Sequence, residues 1–252
     1  MLPGTAWRGN TFFEQHSLNA NGSFQNYWAA SRCSRRSHSM WNNGWSKADA
    51  MPKRLALLRR ALYTRSGNMS AAVKDKLQFI LGRRSIRVYA PGEVDEAAVT
   101  QLLQAAMAAP SAVAKDPWRF VVIRKPETLS AIAAALPNGG MLAVAPLGIV
   151  VCGDLEAAHD RQLSYLLQDC SAAIENLLLC AHALGLGACW LGVHPREDRV
   201  RKLQEILSLP VSVIPVAGIA IGRPGEAKEP RTRYNPHYVH WEKWSTENED
   251  GR

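Results

Sequence analysis

The sequence predicts a sandwich of helices on one central sheet, of the α/β or α+β class. Helical periodicities and short strand-like runs alternate along the chain from Met69 onward. The run from Leu147 to Cys152 is continuously apolar and reads as a strand covered on both faces. The longest helical pattern, roughly Glu156 to Leu184, is apolar on more than one side from Leu163 on and has to be buried. At 252 residues and 47% apolar, the chain can bury one sizeable core or two small ones.

The elements follow in order. Val73, Leu77, Ile80 and Leu81 fall on one face of a helix that ends at Gly82. Asp95 is placed to cap a second helix carrying Val99, Leu102, Leu103, Ala106 and Met107, which Pro110 stops. Trp118 to Arg124 is rich in β-branched and aromatic residues and reads as a strand. Pro126 suits the first position of an Ala-rich helix running through Leu136. Gly185 and Gly187 end the long helix, and Ala188 to Gly192 reads as a strand entering a turn. Pro195 is expected at the start of a helix with Glu197 and Asp198 in its first turn, where the helix dipole favours acids. Val211 to Ile221 is a strand loosened by Pro215 and Gly218. From Gly222 to Trp244 the chain is a Pro- and Arg-rich tail.

Charge divides the chain. The net charge is +8, yet Lys and Arg number ten against two acids up to Asn68, leaving twenty of each beyond it. The excess therefore describes residues 1–68, which hold four of the eight tryptophans amid Asn, Ser, Gly and Arg and show no regular period before about Met51. They read as a basic, disordered extension, with residues 69–252 as the folded unit; a misplaced start codon would explain them. Their composition fits neither a secretory signal nor an organelle transit peptide. A basic arm for a membrane surface or nucleic acid rests only on Lys53 to Tyr63. No apolar run reaches the ~20 residues that cross a bilayer. Five dispersed cysteines without a C-x-x-C pair point to a reducing cytoplasm.

Acid–base, thiol and nucleotide-fold machinery is missing from the pattern. Neither G-x-G-x-x-G, nor a P-loop, nor G-x-S-x-G occurs, and no paired carboxylates stand out. His237 and His240 could supply two metal ligands but lack a third, so no metal is expected. His182 reads as a core histidine, and Trp118 and Trp190 as ordinary core. What remains is Gly82-Arg83-Arg84-Ser85-Ile86-Arg87, three guanidinium groups and a hydroxyl at the end of a helix. It reads either as a solvated basic turn or as a seat for a dianionic phosphate, whose oxygens pair with the rigid donor fork of Arg.

That basic stretch, then Ala109-Pro110-Ser111-Ala112-Val113-Ala114-Lys115-Asp116-Pro117-Trp118-Arg119-Phe120, then Cys189-Trp190-Leu191-Gly192-Val193, and finally Arg231-Thr232-Arg233 with Val239 to Trp244, resemble the nitroreductase family in their order. The resemblance covers about Asp75 to Trp244. It implies an α+β three-layer sandwich, with a central, mostly antiparallel sheet flanked by helices, in a domain-swapped type of homodimer. Two FMN sites would lie across the subunit interface. Carried onto this chain, Arg83, Ser85 and Arg87 match FMN ligands, with Arg84 contributing mainly backbone. Arg231 and Arg233 match the basic pair at the phosphate. Pro110, Ser111 and Ala112 match a loop laid along the flavin by the other subunit, and Leu191 and Gly192 a turn whose N–H groups face the flavin N5 edge.

Two residues depart from the family pattern: Ala114 stands where an Asn is common, and Asp116 where a Gln is. A carboxylate near a flavin opposes its reduction unless paired, here expectedly with Lys115 or Arg119. The implied activity is hydride transfer from NAD(P)H, a transient reductant, through FMN to an electron-poor acceptor such as a nitroaromatic, quinone or activated alkene. Reductive dehalogenation and flavin fragmentation are alternatives within the family. A rival of another class is a non-catalytic flavin- or nucleotide-binding module with a nucleic-acid arm.

Overall fold

Alternate residues of one strand explain the layering. The computed structural model describes residues 71–244, which form one compact unit; the extension assigned to 1–68 lies outside the described residues. Strand β3 (Leu147–Asp154) is buried along almost its whole length. Leu147, Ile149 and Val151 face one apolar cluster, and Val150 and Cys152 face another on the opposite side. A strand with two buried faces needs a layer of helices on each.

One layer is made by α2 (Glu96–Met107) and α5 (Leu163–Ala183), which bury Leu102, Ala106, Leu166, Ile174 and Leu177 against the sheet. The other is made by α3 (Pro126–Ala135), α4 (Gly140–Val144) and α6 (Glu197–Leu207), through Leu129, Ile132, Leu142 and Leu203. Each such fully buried leucine or isoleucine contributes about 1.5–3 kcal/mol relative to exposure. Asp95 caps α2 as expected, its carboxylate accepting the Ala98 N–H at 2.7 Å.

The sheet between them is antiparallel throughout. β5 (Val213–Pro224) is the hub, pairing with β3, with β4 (Gly187–Gly192) and, over its last two residues, with β1 (Tyr89–Ala90); β2 (Trp118–Ile123) pairs with β3. This is the α+β sandwich the resemblance implied.

Several boundaries differ from the sequence reading. β5 runs on through Gly222 to Pro224, so the start of the supposed tail is sheet. Pro215 is tolerated because it lies opposite the register shift between Val151 and Cys152, where the ladder is already interrupted. The long helix starts at Leu163 rather than near Glu156, because β3 extends to Asp154 and a tight turn follows, with Asp160 and Arg161 at positive φ. The helix after Pro195 begins two residues later, at Glu197. The short elements β1 and α4 have too few residues to show a period. The first helix, α1 (Ala71–Gly82), forms as predicted, but its apolar face enters no core: Leu77 is 43% and Ile80 54% exposed. Trp118 is core, whereas Trp190 is 37% exposed.

Candidate functional site

The basic stretch after α1 is laid against the segment that leaves β5, and the two run antiparallel. The Gly225 N–H donates to the Val88 carbonyl at 2.8 Å. The Glu226 carboxylate accepts the Arg87 N–H at 2.6 Å and the Val88 N–H at 3.3 Å. The Lys228 ammonium donates to the Ser85 carbonyl at 2.9 Å, and the Arg84 guanidinium to the Glu229 carbonyl. The Arg231 N–H reaches the Leu81 carbonyl at 3.4 Å. Partners thus step down one segment as they step up the other, which brings the backbone of Arg231 to the end of α1, two residues before Arg83. Some 140 residues separate the two segments in sequence, a closure cost that grows only logarithmically with length.

The same stretch is seated on the sheet. Ile86 donates its N–H to the Ala188 carbonyl at 3.1 Å, and Ser85 bridges Ala188. The Tyr89 hydroxyl lies 2.9 Å from the Ile86 carbonyl and 3.1 Å from that of Ala220. Burial, reinforced by Cys189, raises the Tyr89 pKa, so this hydroxyl stays a neutral donor. Gly187 admits Ile86: a Cβ there would lie 2.7 Å from the Ile86 side chain. Ile86 thereby anchors the segment in the core while its neighbours remain at the surface.

Among the described residues, Arg87, Arg231 and Arg233 have no carboxylate within ion-pair distance. Arg83 pairs with Glu175 at 3.2 Å, but both side chains are partly exposed, and such pairs hold weakly. The Arg84 side chain ties the tail down through the Glu229 carbonyl. Arg83, Arg84 and Lys228 line an open pocket of about 320 Å³ together with Ile86, Leu178 and His182. His182 is half-buried and stacks on Phe79, 5.1 Å between ring centres.

Leu191 and Gly192 end β4, with Leu191 buried and Gly192 open; a Cβ at Gly192 would meet nothing within 4 Å. Pro110, Ser111 and Ala112 belong to a separate loop, which no hydrogen bond joins to the paired basic segments among the described residues. The Asp116 N–H donates to the Ser111 hydroxyl at 3.0 Å, and that hydroxyl donates back to the Asp116 carboxylate. Ala112 donates its N–H to Asp169 on α5 at 2.9 Å. Asp116 does not pair with Lys115 or Arg119 through its side chain: Arg119 instead forms an ion pair with Asp154 at 3.2 Å. The loop bends back on itself, with Asp116 at φ +48, and this brings its carboxylate to Ser111 rather than to the cations beside it.

Glu226, Lys228 and Asp169 were not singled out in the sequence. The first two look like ordinary tail charges. Asp169 carried a signal, an acid at a position where Leu166, Cys170 and Ala173 mark a buried helical face. Among the described residues, burial disfavours the thiolate at every cysteine. Burial pushes Cys152 and Cys170 up to about 12, and Cys189 is raised as well, mainly by burial. Among the described residues, no cluster of three or more His, Cys, Asp or Glu could hold a metal ion, and no helix is long and apolar enough to cross a membrane.

A protein of Methanothermobacter thermautotrophicus, assigned provisionally as an NADH dehydrogenase/NAD(P)H nitroreductase, is 44% identical over 68% of this chain and 88% of its own. A crystal structure of a provisionally assigned NADH dehydrogenase/NAD(P)H nitroreductase from Parabacteroides distasonis is 36% identical, covers 68% of this chain and 99% of that one, and superposes with a TM-score of 0.64. A Desulfovibrio desulfuricans structure, provisionally a nitroreductase and in complex with FMN, is 33% identical over 67% of this chain and 97% of that one, with a TM-score of 0.58. The Nitroreductase family model matches residues 80–138 and 133–223. With that match and this fold, the chain belongs to the nitroreductase family.

Proposed function

We propose that the chain is an FMN-dependent oxidoreductase that takes hydride equivalents from NAD(P)H and delivers them to an electron-poor small molecule. The observation that carries this reading is the antiparallel pairing of residues 81–88 with 225–231, which gathers arginines from both ends of the folded unit. The donor set suits a phosphate dianion: three guanidinium groups without carboxylate partners among the described residues, a fourth only weakly held, and the Ser85 hydroxyl nearby. Each charge-assisted hydrogen bond to such a group is worth about 1.5–3 kcal/mol. The FMN in the Desulfovibrio structure and the nicotinamide named for the Methanothermobacter relative support the same assignment.

Arg83, Ser85, Arg231 and Arg233 would hold the phosphate, with Arg84 and Lys228 fixing the two strands of chain that carry them. Arg87 would set a positive charge beside the flavin ring, where reduction adds negative charge. Leu191 and Gly192 would offer backbone N–H groups to the ring edge. Bound FMN would supply the two-electron redox chemistry that no side chain here provides. No resident dinucleotide fold is needed for a nicotinamide that visits and leaves.

The working unit in this reading is a homodimer. α1 exposes Leu77, Phe79 and Ile80, Trp190 is partly exposed, and the aromatic tail exposes Tyr234, Tyr238, Trp241 and Trp244. A second copy would cover these side chains and bring its own Pro110–Ala112 loop to the basic segments. The four described cysteines are free, which suits a reducing cytoplasm.

The test is direct. The purified dimer should be yellow, and NADH or NADPH should bleach it without oxygen; a quinone or nitroaromatic should then restore the colour. Colour that neither nicotinamide bleaches would contradict the enzymatic reading and leave a flavin-binding module.

A further inference from the structure

Asp169 is the one charged residue buried among the described residues, at 5% exposure. It sits on the core face of α5 with Leu166, Cys170, Ala173 and Ile174, where the helical pattern asks for an apolar side chain. A carboxylate in such a place is costly unless its oxygens are used. Its Oδ1 accepts the Ala112 N–H at 2.9 Å, and its Oδ2 has no hydrogen-bond partner among the described residues.

The loop it touches cannot cap itself. Ala112 opens a 3₁₀ turn, Ala112–Ala114, whose N-terminal donors need an acceptor. Ser111, in the capping position, makes no cap bond, because its hydroxyl is engaged with Asp116. The turn also holds Val113, Ala114 and Asp116 at φ of +52, +52 and +48, conformations that persist only where neighbours enforce them.

We infer that Asp169 is a positioning residue: from α5 it caps the turn that Ser111 leaves uncapped, and so fixes the Pro110–Ala112 loop for cofactor binding. This rests on the proposed role of that loop at FMN. A buried helix is a rigid anchor, so the loop is held from the core.

The experiment compares Asp169→Ala and Asp169→Asn with wild type, as full-length dimers. It measures FMN affinity by quenching of flavin fluorescence and hydrogen exchange of residues 109–117 in the apoprotein. Asp169→Ala should weaken FMN binding about tenfold or more and speed exchange of the loop, with exchange of β4 unchanged. Asp169→Asn keeps an oxygen for the Ala112 N–H and should restore both to within about threefold.

Should Asp169→Ala not fold, Ala112→Pro removes the donor instead. Proline is accepted at the first position of a turn, and Ser111 (ψ 159) is already extended as a residue before proline must be. This variant should reproduce the loss. Unchanged affinity and exchange in Asp169→Ala, or in Ala112→Pro where that alone folds, overturns the inference, as does an Asn variant no better than Ala. A wild-type dimer that binds no FMN would instead sink the functional reading itself.

Discussion

Glu226 shows how a single residue can organise a site without facing it. One oxygen of its carboxylate accepts from Arg87 N–H, Val88 N–H and the Lys228 ammonium, the last at 2.8 Å. The Lys228 hydrogen bond, then that of Arg87, holds the Glu226 pKa below the usual carboxylate range. A depressed folded-state pKa means that the carboxylate stabilises the clasp fully above its unfolded value, and that this is lost as pH falls through the lower folded value. FMN affinity should therefore fall first as the phosphate dianion takes up a proton at about pH 6, and the Glu226 contribution should add a further acid limb only below the ordinary carboxylate range. Glu226→Gln should bind FMN several-fold more weakly at pH 7 and lose that acid limb, measured by fluorescence titration across pH. An unchanged acid limb in the variant would assign the titration elsewhere. Glu226 was not legible in the sequence because its backbone partners lie 138 and 139 residues away; Arg83 and Arg87 were, because their density within five residues is itself unusual.

Elements were legible where their period is local. The capped start of α2 and the apolar core of β3 follow from a few consecutive residues. The ends of β5 and α5 do not, because pairing with β1 and β4 and the turn after Asp154 override local preference. The pairing of β4 with the basic stretch gives an element-scale prediction. In Gly187→Ala the new Cβ would lie 2.7–2.8 Å from the Ile86 side chain, so either β4 or the segment carrying Arg83 to Arg87 must shift. The substitution should destabilise the fold by about 1–3 kcal/mol in a denaturant titration and weaken FMN binding in parallel. Gly192→Ala, where a Cβ has open space, should leave stability unchanged in the same titration.

At the scale of the whole molecule, α1 leaves its apolar face unburied among the described residues. The apolar period of α1 was visible in the sequence, but what it packs against was not, since no stretch of the described fold receives it. Ile80→Glu should shift the protein to monomer in sedimentation velocity and cost it FMN, while helical circular dichroism is retained. A dimer unaffected by that charge would place the interface elsewhere.

The central claim is that cations from the two ends of the folded unit grip one phosphate, and the most direct measurement compares FMN with riboflavin, which lacks it. By calorimetry the dimer should bind FMN at least about 100-fold more tightly than riboflavin, as two or more charge-assisted bonds require. Arg83→Ala and Arg233→Ala should each erode that preference about tenfold or more and leave riboflavin affinity unchanged. Equal affinities for the two flavins, or a preference untouched by both substitutions, would contradict the account.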